Sequence, residues 1–395
     1  MSDVENVVIL SAARTAIGRF GGSLKDVSTD DLGALVIGEA AKRANVEPKE
    51  IQSAVIGNVL RTKSNDAYIS RICSINAGMA KESHAVTVNR LCGSGLEAIV
   101  TATQQIQLGE VELAVAGGVE SMSRSTYSTS VPRFGARMGG FELNDDMLAA
   151  LHDPFGGGHM GVTAENIAEQ FSIDRKAQDS FAVESHNRAI NAIGKGYFKE
   201  QIVPVEIKSR KGIVVSDKDE HARADVSVEN MQNLRAAFKK DGSVTAGNAS
   251  GLNDGASALL LASEKWAKAN GKTPMAKIIS YARAGVDPSI MGTGPIPAVR
   301  LALKRAKLTI DDIDVIESNE AFAAQACAVA NELGFPADIT NPNGGAVGMG
   351  HPIGATGAIL MTKLVYELQR INGRYGVVTL CIGGGQGIAA VVESV

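Results

Sequence analysis

The first and last thirds of the chain alternate short, uninterrupted apolar runs with longer segments in which apolar residues recur at helical spacing. Runs such as residues 113–116 and 377–380 are typical of buried strands, and glycines follow each of them. Each third reads as helix, strand, glycine-rich turn, helix and strand. This order is that of βαβ units, so we predict an α/β fold with a mostly parallel, helix-covered sheet.

The same two thirds also resemble each other in sequence. Three pairs of segments match at a separation of about 260 residues. The pairs are residues 41–44 with 303–306, residues 51–56 with 310–316, and residues 113–118 with 377–384. A repeat this long with only two copies is not a solenoid. It predicts two similar βαβ-type halves packed together.

Residues 123–250 break the pattern. Glycine, methionine, asparagine and charged residues dominate there, with glycine pairs and triplets as turn signals. Within it, residues 164–192 have helical apolar spacing and predict a small separate core. Residues 252–263 then return to a sheet-like pattern. We predict an N-terminal half at 1–122, completed by 251–273, a loop-rich insertion domain at 123–250, and a C-terminal half at 274–395.

Composition narrows the class of protein. The chain has 395 residues with a net charge of -4, which argues against a nucleic-acid partner because such proteins need a basic face. No apolar run approaches the roughly 20 residues that span a bilayer, so we predict no membrane partner. The four cysteines are widely spaced without a metal-binding pattern, which indicates reduced thiols. We predict a cytoplasmic protein.

Cys92 lies where an apolar run ends and a helix-like segment begins, and two glycines, Gly93 and Gly95, follow it closely. The free amides and the positive dipole end of a helix stabilise an anion there. We therefore expect the pKa of the Cys92 thiol to fall below its usual value of about 8.5, which suits a nucleophile. Most free cysteines are packing residues, and we interpret Cys73 and Cys327 in that way.

Two further glycine-framed positions can complete a site. His351 stands in a Gly/Pro-rich loop before another helix, at a place in the repeat close to that of Cys92. Cys381 ends an apolar run and precedes three glycines, whose amides could form an oxyanion hole. Asn319 follows a predicted strand and could hold a water. The histidines at 84, 152, 186 and 221 lack such surroundings, and we interpret them as surface or packing residues.

A competing motif overlaps Cys92. Residues 93–98 satisfy a relaxed dinucleotide-binding fingerprint, follow a strand, and have Glu120 beyond them. This match leaves His351 and Cys381 without a role. It also falls on an inner strand rather than in the first βα turn of a domain. We favour the thiol site.

Taken together, these motifs resemble the thiolase family over essentially the whole chain. Five blocks are similar to the family's signature segments and occur in the same order, at residues 89–95, 117–123, 319–323, 350–354 and 381–385. The resemblance implies the thiolase fold, with layers αβαβα and the insertion as a coenzyme A-binding loop domain. It also implies a homodimer or homotetramer.

By this resemblance, Cys92 is the nucleophile that takes an acyl group from coenzyme A, and His351 is its base. Cys381 acts as acid and base towards a second acetyl-CoA, Asn319 holds a water, and the amide of Gly383 helps to stabilise the oxyanion. The implied activity is that of a short-chain acetyl-CoA C-acetyltransferase. Coenzyme A thioesters are substrates, and no cofactor or metal is expected.

The resemblance also implies a set of substrate contacts. His159 and Met160 match the family's pantetheine-lining segment, and Met160 is expected to border the acyl pocket. Ala246 and Ser250 belong to a second such segment, and Ser250 is expected to touch the pantetheine. Two residues, Arg223 and Phe238, are expected near the nucleotide end. The contacts are completed by Ala321 and Phe322.

Three alternatives stay open. One is a 3-ketoacyl-CoA thiolase of broader chain length, because residues 341–349 depart from the family's commoner version beside the pocket and Gln386 stands where Met is frequent. Another is a thiolase-fold ketoacyl synthase, which usually lacks a cysteine at the place of Cys381. The last is a non-catalytic carrier of acyl-CoA or lipid on the same fold.

Overall fold

The computed structural model describes residues 5–210 and 212–395. The strands within them are β1 (Val7–Arg14), β2 (Gly18–Arg19), β3 (Ser53–Gly57), β4 (His84–Val88), β5 (Leu113–Ser121), β6 (Tyr127–Ser128), β7 (Asn144–Asp145), β8 (His152–Asp153), β9 (Gly158–His159), β10 (Val205–Ser209), β11 (Gly212–Ser216), β12 (Asn253–Ser263), β13 (Ala276–Gly285), β14 (Val315–Ser318), β15 (Tyr375–Ile382) and β16 (Gln386–Ser394). The helices are α1 (Thr29–Arg43), α2 (Ile69–Asn76), α3 (Ser94–Gln107), α4 (Asp146–Ala150), α5 (Met160–Gln170), α6 (Arg175–Gly194), α7 (Val228–Gln232), α8 (Glu264–Ala269), α9 (Pro295–Ala306), α10 (Ala323–Leu333), α11 (Ala346–Met349) and α12 (Thr356–Ile371).

The long strands form one mixed sheet in the order β14-β15-β16-β13-β1-β12-β5-β3-β4, with β2 beside β12. Its two halves join where residues 7–9 of β1 pair with residues 276–278 of β13. Each half therefore contributes one run of strands to a continuous sheet.

The prediction of a mostly parallel sheet is wrong. Among the long strands of the described chain, pairing is parallel for β3 with β4 and β5 and for β14 with β15. It is antiparallel around β12, which returns from the insertion to lie between β1 and β5. It is also antiparallel between β15 and β16, which form a hairpin across a three-residue glycine turn.

The internal repeat is confirmed. Helices α1 and α9, strands β3 and β14, helices α3 and α12, and strands β5 and β15 occupy corresponding places in the two halves. A short parallel bridge between Ile316 and Thr340 stands where β4 stands in the first half. The two halves therefore share one topology.

Helices and sheet form five layers. The strands of the N-terminal half and those of the C-terminal half each form one sheet layer. The largest core cluster lies between these two layers and includes residues of α3 and α12. A second cluster packs α1 and α2 on the outside of the N-terminal half, and a third packs α9 on the outside of the C-terminal half. Helix α12 is buried on almost every side, as expected of a helix in the central layer. This is the layered αβαβα arrangement.

The middle of the chain contains α4 to α7 and the short hairpins. Its helices α5 and α6 cover the stretch that was predicted to be helical. The prediction of a separate core is wrong, because the clusters around Ile167 and Ala182 also contain Ala328 and Val347 of the C-terminal half. The exact boundaries of the three units stay a prediction. Within the described residues, none of the helices has both the length and the apolar character needed to cross a membrane.

Candidate active site

Two turns, one in each half, lead into the paired helices of the central layer. Cys92 lies two residues before the start of α3, and His351 lies five residues before the start of α12. Because α3 and α12 pack against each other, the repeat brings these two turns to the same end of the central layer. The turn of β15 and β16, which follows Cys381, closes over them.

The Cys92 turn has an unusual backbone. Leu91 has a positive φ of 45°, a conformation that side chains other than glycine seldom adopt. It is held by Ser94, whose hydroxyl accepts from the amide of Arg90 at 2.8 Å and donates to the carbonyl of Leu91 at 2.7 Å. A Cβ on Gly93 would lie 2.5 Å from Ile382, so the turn presses directly on β15. Backbone strain of this kind is common where a reactive side chain is presented.

The Cys92 thiol does not have the lowered pKa that its position predicted. Burial raises the pKa of Cys92 to about 11, while the amides of Gly383 and of Cys92 itself act in the opposite direction. The error has a physical cause, because the sequence indicated the helix terminus but not the loss of solvent around the sulfur. The resting residue is a neutral thiol, and it needs a base.

His351 is suited to be that base. Its Nδ1 is 2.7 Å from the hydroxyl of Thr356, which donates its own proton to the carbonyl of Pro352 at 2.9 Å. The histidine must therefore donate from Nδ1, which leaves Nε2 unprotonated with its lone pair able to accept a proton. Burial lowers the pKa of His351 to about 4, so the imidazole is neutral at pH 7.

Asn319 lies beside this lone pair. Its side-chain amide is 3.5 Å from Nε2 of His351. Its Oδ1 is buried and has no hydrogen-bond partner within the described residues. An unpaired buried acceptor of this kind is costly, which favours a water or a ligand atom at this point.

Cys381 lies behind the same site. It is fully buried, and its pKa is raised by burial and by the neighbouring Cys92. It packs in one apolar cluster with Met160, Ala321 and Phe322. The two sulfurs are therefore close enough to interact, and the amide of Gly383 bonds the Cys92 sulfur.

A cavity of about 370 Å³ opens onto these groups. Most of the predicted site residues line it: Cys92, His159, Met160, Phe238, Ala246, Ser250, Ala321, Phe322, His351 and Gly383. Cys381 and Asn319 are fully buried and do not line the cavity themselves, but lie next to residues that do. Met122, Leu148 and Met291 also line it. Leu148 and Met291 stand outside the motifs that the sequence analysis used, whereas Met122 lies in the block at 117–123 but was given no role there.

Arg223 lies in an adjoining cavity of about 270 Å³, which shares Ala246 and Ala249 with the first. Phe238, which was expected near the nucleotide end together with Arg223, does not line this adjoining cavity. Phe238 stacks on His159 at 4.6 Å and meets Phe322 edge-on at 6.1 Å, so it belongs to the first cavity. Aromatic packing of this kind fixes the wall of that cavity.

His186 and His221, which we interpreted as surface or packing residues, lie close to Arg223. Both line the adjoining cavity beside Arg223, and Nδ1 of His186 accepts from the amide of Arg223 at 3.2 Å. Burial lowers the pKa of both rings. His221 stands close to Arg223 in the sequence, whereas His186 is distant from it and no sequence signal indicated their contact.

No group of three or more potential metal ligands occurs among the residues that the structure describes. The expectation of a metal-free enzyme stays a prediction.

Comparisons with known proteins agree with this geometry. The family models "Thiolase, N-terminal domain" and "Thiolase, C-terminal domain" match residues 7–265 and 272–394. Beta-ketothiolase BktB of Cupriavidus necator is 55% identical over 390 residues, covering 98% of this chain and 99% of that protein. Acetyl-CoA acetyltransferase of Syntrophomonas wolfei is 49% identical over 393 residues, with the same coverage.

Solved structures show the same fold. Acetyl-CoA acetyltransferase of Bacillus anthracis matches with a TM-score of 0.97 and 47% identity, covering 99% of each chain. Human mitochondrial 3-ketoacyl-CoA thiolase matches with a TM-score of 0.97 and 42% identity, covering 99% of this chain and 100% of that one. With two family models that together span nearly all of its residues, the chain belongs to the thiolase family.

Proposed function

We propose that this thiolase is an acetyl-CoA C-acetyltransferase that converts two acetyl-CoA molecules into acetoacetyl-CoA and coenzyme A, and catalyses the reverse cleavage. The observation that carries the proposal is the meeting of Cys92, His351 and Gly383 in one cavity, with Cys381 and Asn319 directly behind its wall. These groups supply a nucleophile, two proton carriers and oxyanion donors, which is what a thioester condensation requires.

In the first half-reaction, Nε2 of His351 takes the proton of the Cys92 thiol as the sulfur attacks the carbonyl of acetyl-CoA. The developing oxyanion is met by the amides of Cys92 and Gly383. The tetrahedral intermediate then collapses, a new carbon–sulfur bond to Cys92 remains, and the bond to coenzyme A breaks. The leaving thiolate takes a proton from the Cys381 thiol, which leaves Cys381 ionised.

In the second half-reaction, the Cys381 thiolate removes a proton from the methyl group of another acetyl-CoA. A raised pKa serves this step, because the conjugate base of a weak acid is the stronger base. The enolate oxygen is met by His351 and by a water on Asn319. The carbanion attacks the acetyl-Cys92 carbonyl, a carbon–carbon bond forms, and the bond to the Cys92 sulfur breaks. The released Cys92 thiolate takes back from His351 the proton that it gave up in the first half-reaction, which restores the starting enzyme.

The shape of the cavity favours a short acyl group. Met160, Met291 and Phe322 are almost fully buried, and they pack around Cys381 at the reacting end. A long acyl chain would have to displace them. Because methionine side chains adapt their shape easily, a 3-ketoacyl-CoA thiolase of somewhat broader chain length is the second candidate. Steady-state kcat/KM for 3-ketoacyl-CoA substrates of increasing length separates the two.

Intact-protein mass spectrometry tests the assignment of the cysteines. After mixing with acetyl-CoA, the wild-type protein should gain one acetyl group, and Cys92→Ser should gain none at this site. Cys381→Ala should still become acetylated, but should not form acetoacetyl-CoA. Normal condensation by Cys381→Ala would refute its role. Binding of acetoacetyl-CoA without turnover by the wild-type protein would identify a carrier instead of an enzyme.

We also infer that the chain assembles into a homodimer or a dimer of dimers. Strand β4 is the last strand of the sheet and pairs with β3 on one side, while Val86 and Thr87 are exposed. An open sheet edge of this kind is suited to pairing with a second copy. Sedimentation velocity of the wild-type protein and of Thr87→Pro is the test, because proline removes an amide from the edge.

The proposed chemistry needs its thiols reduced, and all four cysteines are free. This supports a reducing compartment such as the cytoplasm, and cell fractionation with an antibody to the protein tests the location.

No cofactor is needed for the steps above, and activity should survive extensive dialysis against a chelator.

A further inference from the structure

The two reactive groups of the site belong to different halves of the molecule. Cys92 is carried by the N-terminal half, and His351 is carried by a loop of the C-terminal half. Proton transfer between them depends on how closely that loop is held against the N-terminal half, since a small misplacement lowers a rate strongly. Two buried side chains on the neighbouring strands β5 and β12 make this connection.

Glu120 is the first of them. It is fully buried near the end of β5, and its carboxyl group accepts four hydrogen bonds. One is from the amide of Gly354 in the histidine loop, at 2.8 Å. The others come from the segment after β3: the side chain of Asn58 at 3.2 Å, the amide of Val59 at 3.2 Å and the amide of Leu60 at 3.1 Å.

This carboxyl group has an unusual setting. In the part of the chain that the structure describes, no lysine or arginine forms an ion pair with Glu120. Burial raises the pKa of Glu120 to about 8 although backbone amides act in the opposite direction, so the side chain is mostly a neutral acid at pH 7. Both of its oxygens are nevertheless used by donors from two separate segments. Burying this side chain therefore costs more free energy than burying an apolar residue of similar size, so packing alone does not account for it.

Asn253 is the second. It begins β12, which pairs directly with β5. Its Oδ1 accepts from the amide of His351 at 2.9 Å, and its side-chain nitrogen donates to the carbonyl of Gly18 at 3.0 Å. The second bond fixes the orientation of the amide group. The histidine loop is thus held at His351 by Asn253 and at Gly354 by Glu120.

Glycines allow this close approach. A Cβ on Gly350 would lie 2.4 Å from Asn253, and one on Gly354 would lie 2.5 Å from Glu120. Gly350 also has a positive φ of 102°, which a side chain would disfavour. The backbone of the loop therefore lies directly against Asn253 and Glu120, and a side chain at position 350 or 354 would not fit between them.

We propose that Glu120 and Asn253 are positioning residues that hold His351 of one half in register with Cys92 of the other. Leu60, whose amide also donates to Glu120, packs in one cluster with Ile353 and Cys92. One carboxyl group therefore fixes a wall of the Cys92 site and the histidine loop together. The inference rests on the proposed roles of Cys92 and His351 in the reaction.

The substitution Glu120→Gln tests it, because glutamine keeps the shape but turns an NH₂ group towards amide donors. We expect kcat for acetoacetyl-CoA thiolysis to fall about tenfold to a hundredfold, with KM values within about twofold of wild type. The substrate contacts come from other segments, so binding should persist. Asp314→Asn is the matched control, because Asp314 also accepts two backbone amides, those of Arg374 and Tyr375, away from the histidine loop.

A second readout does not depend on turnover. The rate of Cys92 alkylation by iodoacetamide at pH 7, followed by mass spectrometry of the Cys92 peptide, should fall about tenfold in Glu120→Gln. In a His351→Ala background the same substitution should cause no further decrease, because the residue acts through His351. Equal decreases in both backgrounds would overturn the proposal. Wild-type protein that alkylates normally but does not turn over would instead refute the proposed function.

Asn253→Ala should reproduce both effects. Hydrogen–deuterium exchange of the unmodified protein gives a check that needs no variant. Peptides spanning residues 350–355 should exchange slowly although they lie in a loop, because the amides of His351 and Gly354 are held by buried side chains. Rapid exchange there would contradict the proposal even where a variant does not fold.

Discussion

At the scale of single residues, the site begins as a neutral thiol beside a neutral imidazole. Burial causes both states, since it raises the pKa of Cys92 to about 11 and lowers the pKa of His351 to about 4. The free protein therefore holds little thiolate at pH 7, and the sulfur loses its proton to His351 as it attacks an electrophile.

A pH dependence follows. His351 is a competent base only above its pKa, so the rate of Cys92 acetylation should stay nearly constant from pH 7 down to about pH 5. It should fall as the pH approaches about 4. Rapid-quench mass spectrometry after mixing with acetyl-CoA measures this rate. An acid limb centred near 6.5, the ordinary histidine value, would show that the ring is solvated or paired with a charge in solution.

The sequence indicated the reactive residues, but it did not indicate the residues that hold them in position. Cys92, His351 and Cys381 stand out because each is framed by glycines at the junction of two elements. Glu120 and Asn253 carry no such mark, because their role depends on strands that are far apart in sequence and adjacent in the sheet. The pKa of Cys92 was missed for a related reason, since burial is a property of the packed molecule.

At the scale of elements, the contact between α3 and α12 sets the geometry of the site. A Cβ on Gly357 would lie 2.3 Å from the amide nitrogen of Leu96, and one on Gly95 would lie 2.7 Å from the amide nitrogen of Ala358. The two helices touch through their backbones at these glycines. The repeat and its helices could be predicted from hydrophobic spacing, whereas strand direction could not, because β12 returns to the sheet from the insertion.

Gly357→Ala should separate these helices. We expect a loss of about 1–3 kcal/mol in the free energy of unfolding, because a methyl group forced into backbone contact cannot be absorbed by a side-chain movement. Activity should fall with it, since Cys92 and His351 precede the two helices. Urea unfolding and steady-state thiolysis measure the two effects.

The control for this change is Gly38→Ala in α1, where a Cβ would meet no atom within 4 Å. It should raise stability by about 0.5–1 kcal/mol through helix propensity alone and leave activity unchanged. An unaffected Gly357→Ala protein would show that the helices can move apart without cost.

At the scale of the whole molecule, the largest core cluster belongs to neither half. It includes residues of β1, α3 and β12 together with residues of α12, β15 and β16. Neither half can bury its inner face without the other, because the central helices pack between both half-sheets. Cooperativity across the two halves is therefore expected despite their separate topologies.

Unfolding should consequently be a single transition for the two halves. The chain has one tryptophan, Trp266, which packs against the outer cluster of the N-terminal half. Its fluorescence reports on that half, while far-ultraviolet circular dichroism reports on all helices and strands. At a fixed protein concentration the urea midpoints from both signals should coincide. A tryptophan transition clearly separated from the circular dichroism transition would show that the halves unfold independently, and the shared core would then contribute less to stability than its burial indicates.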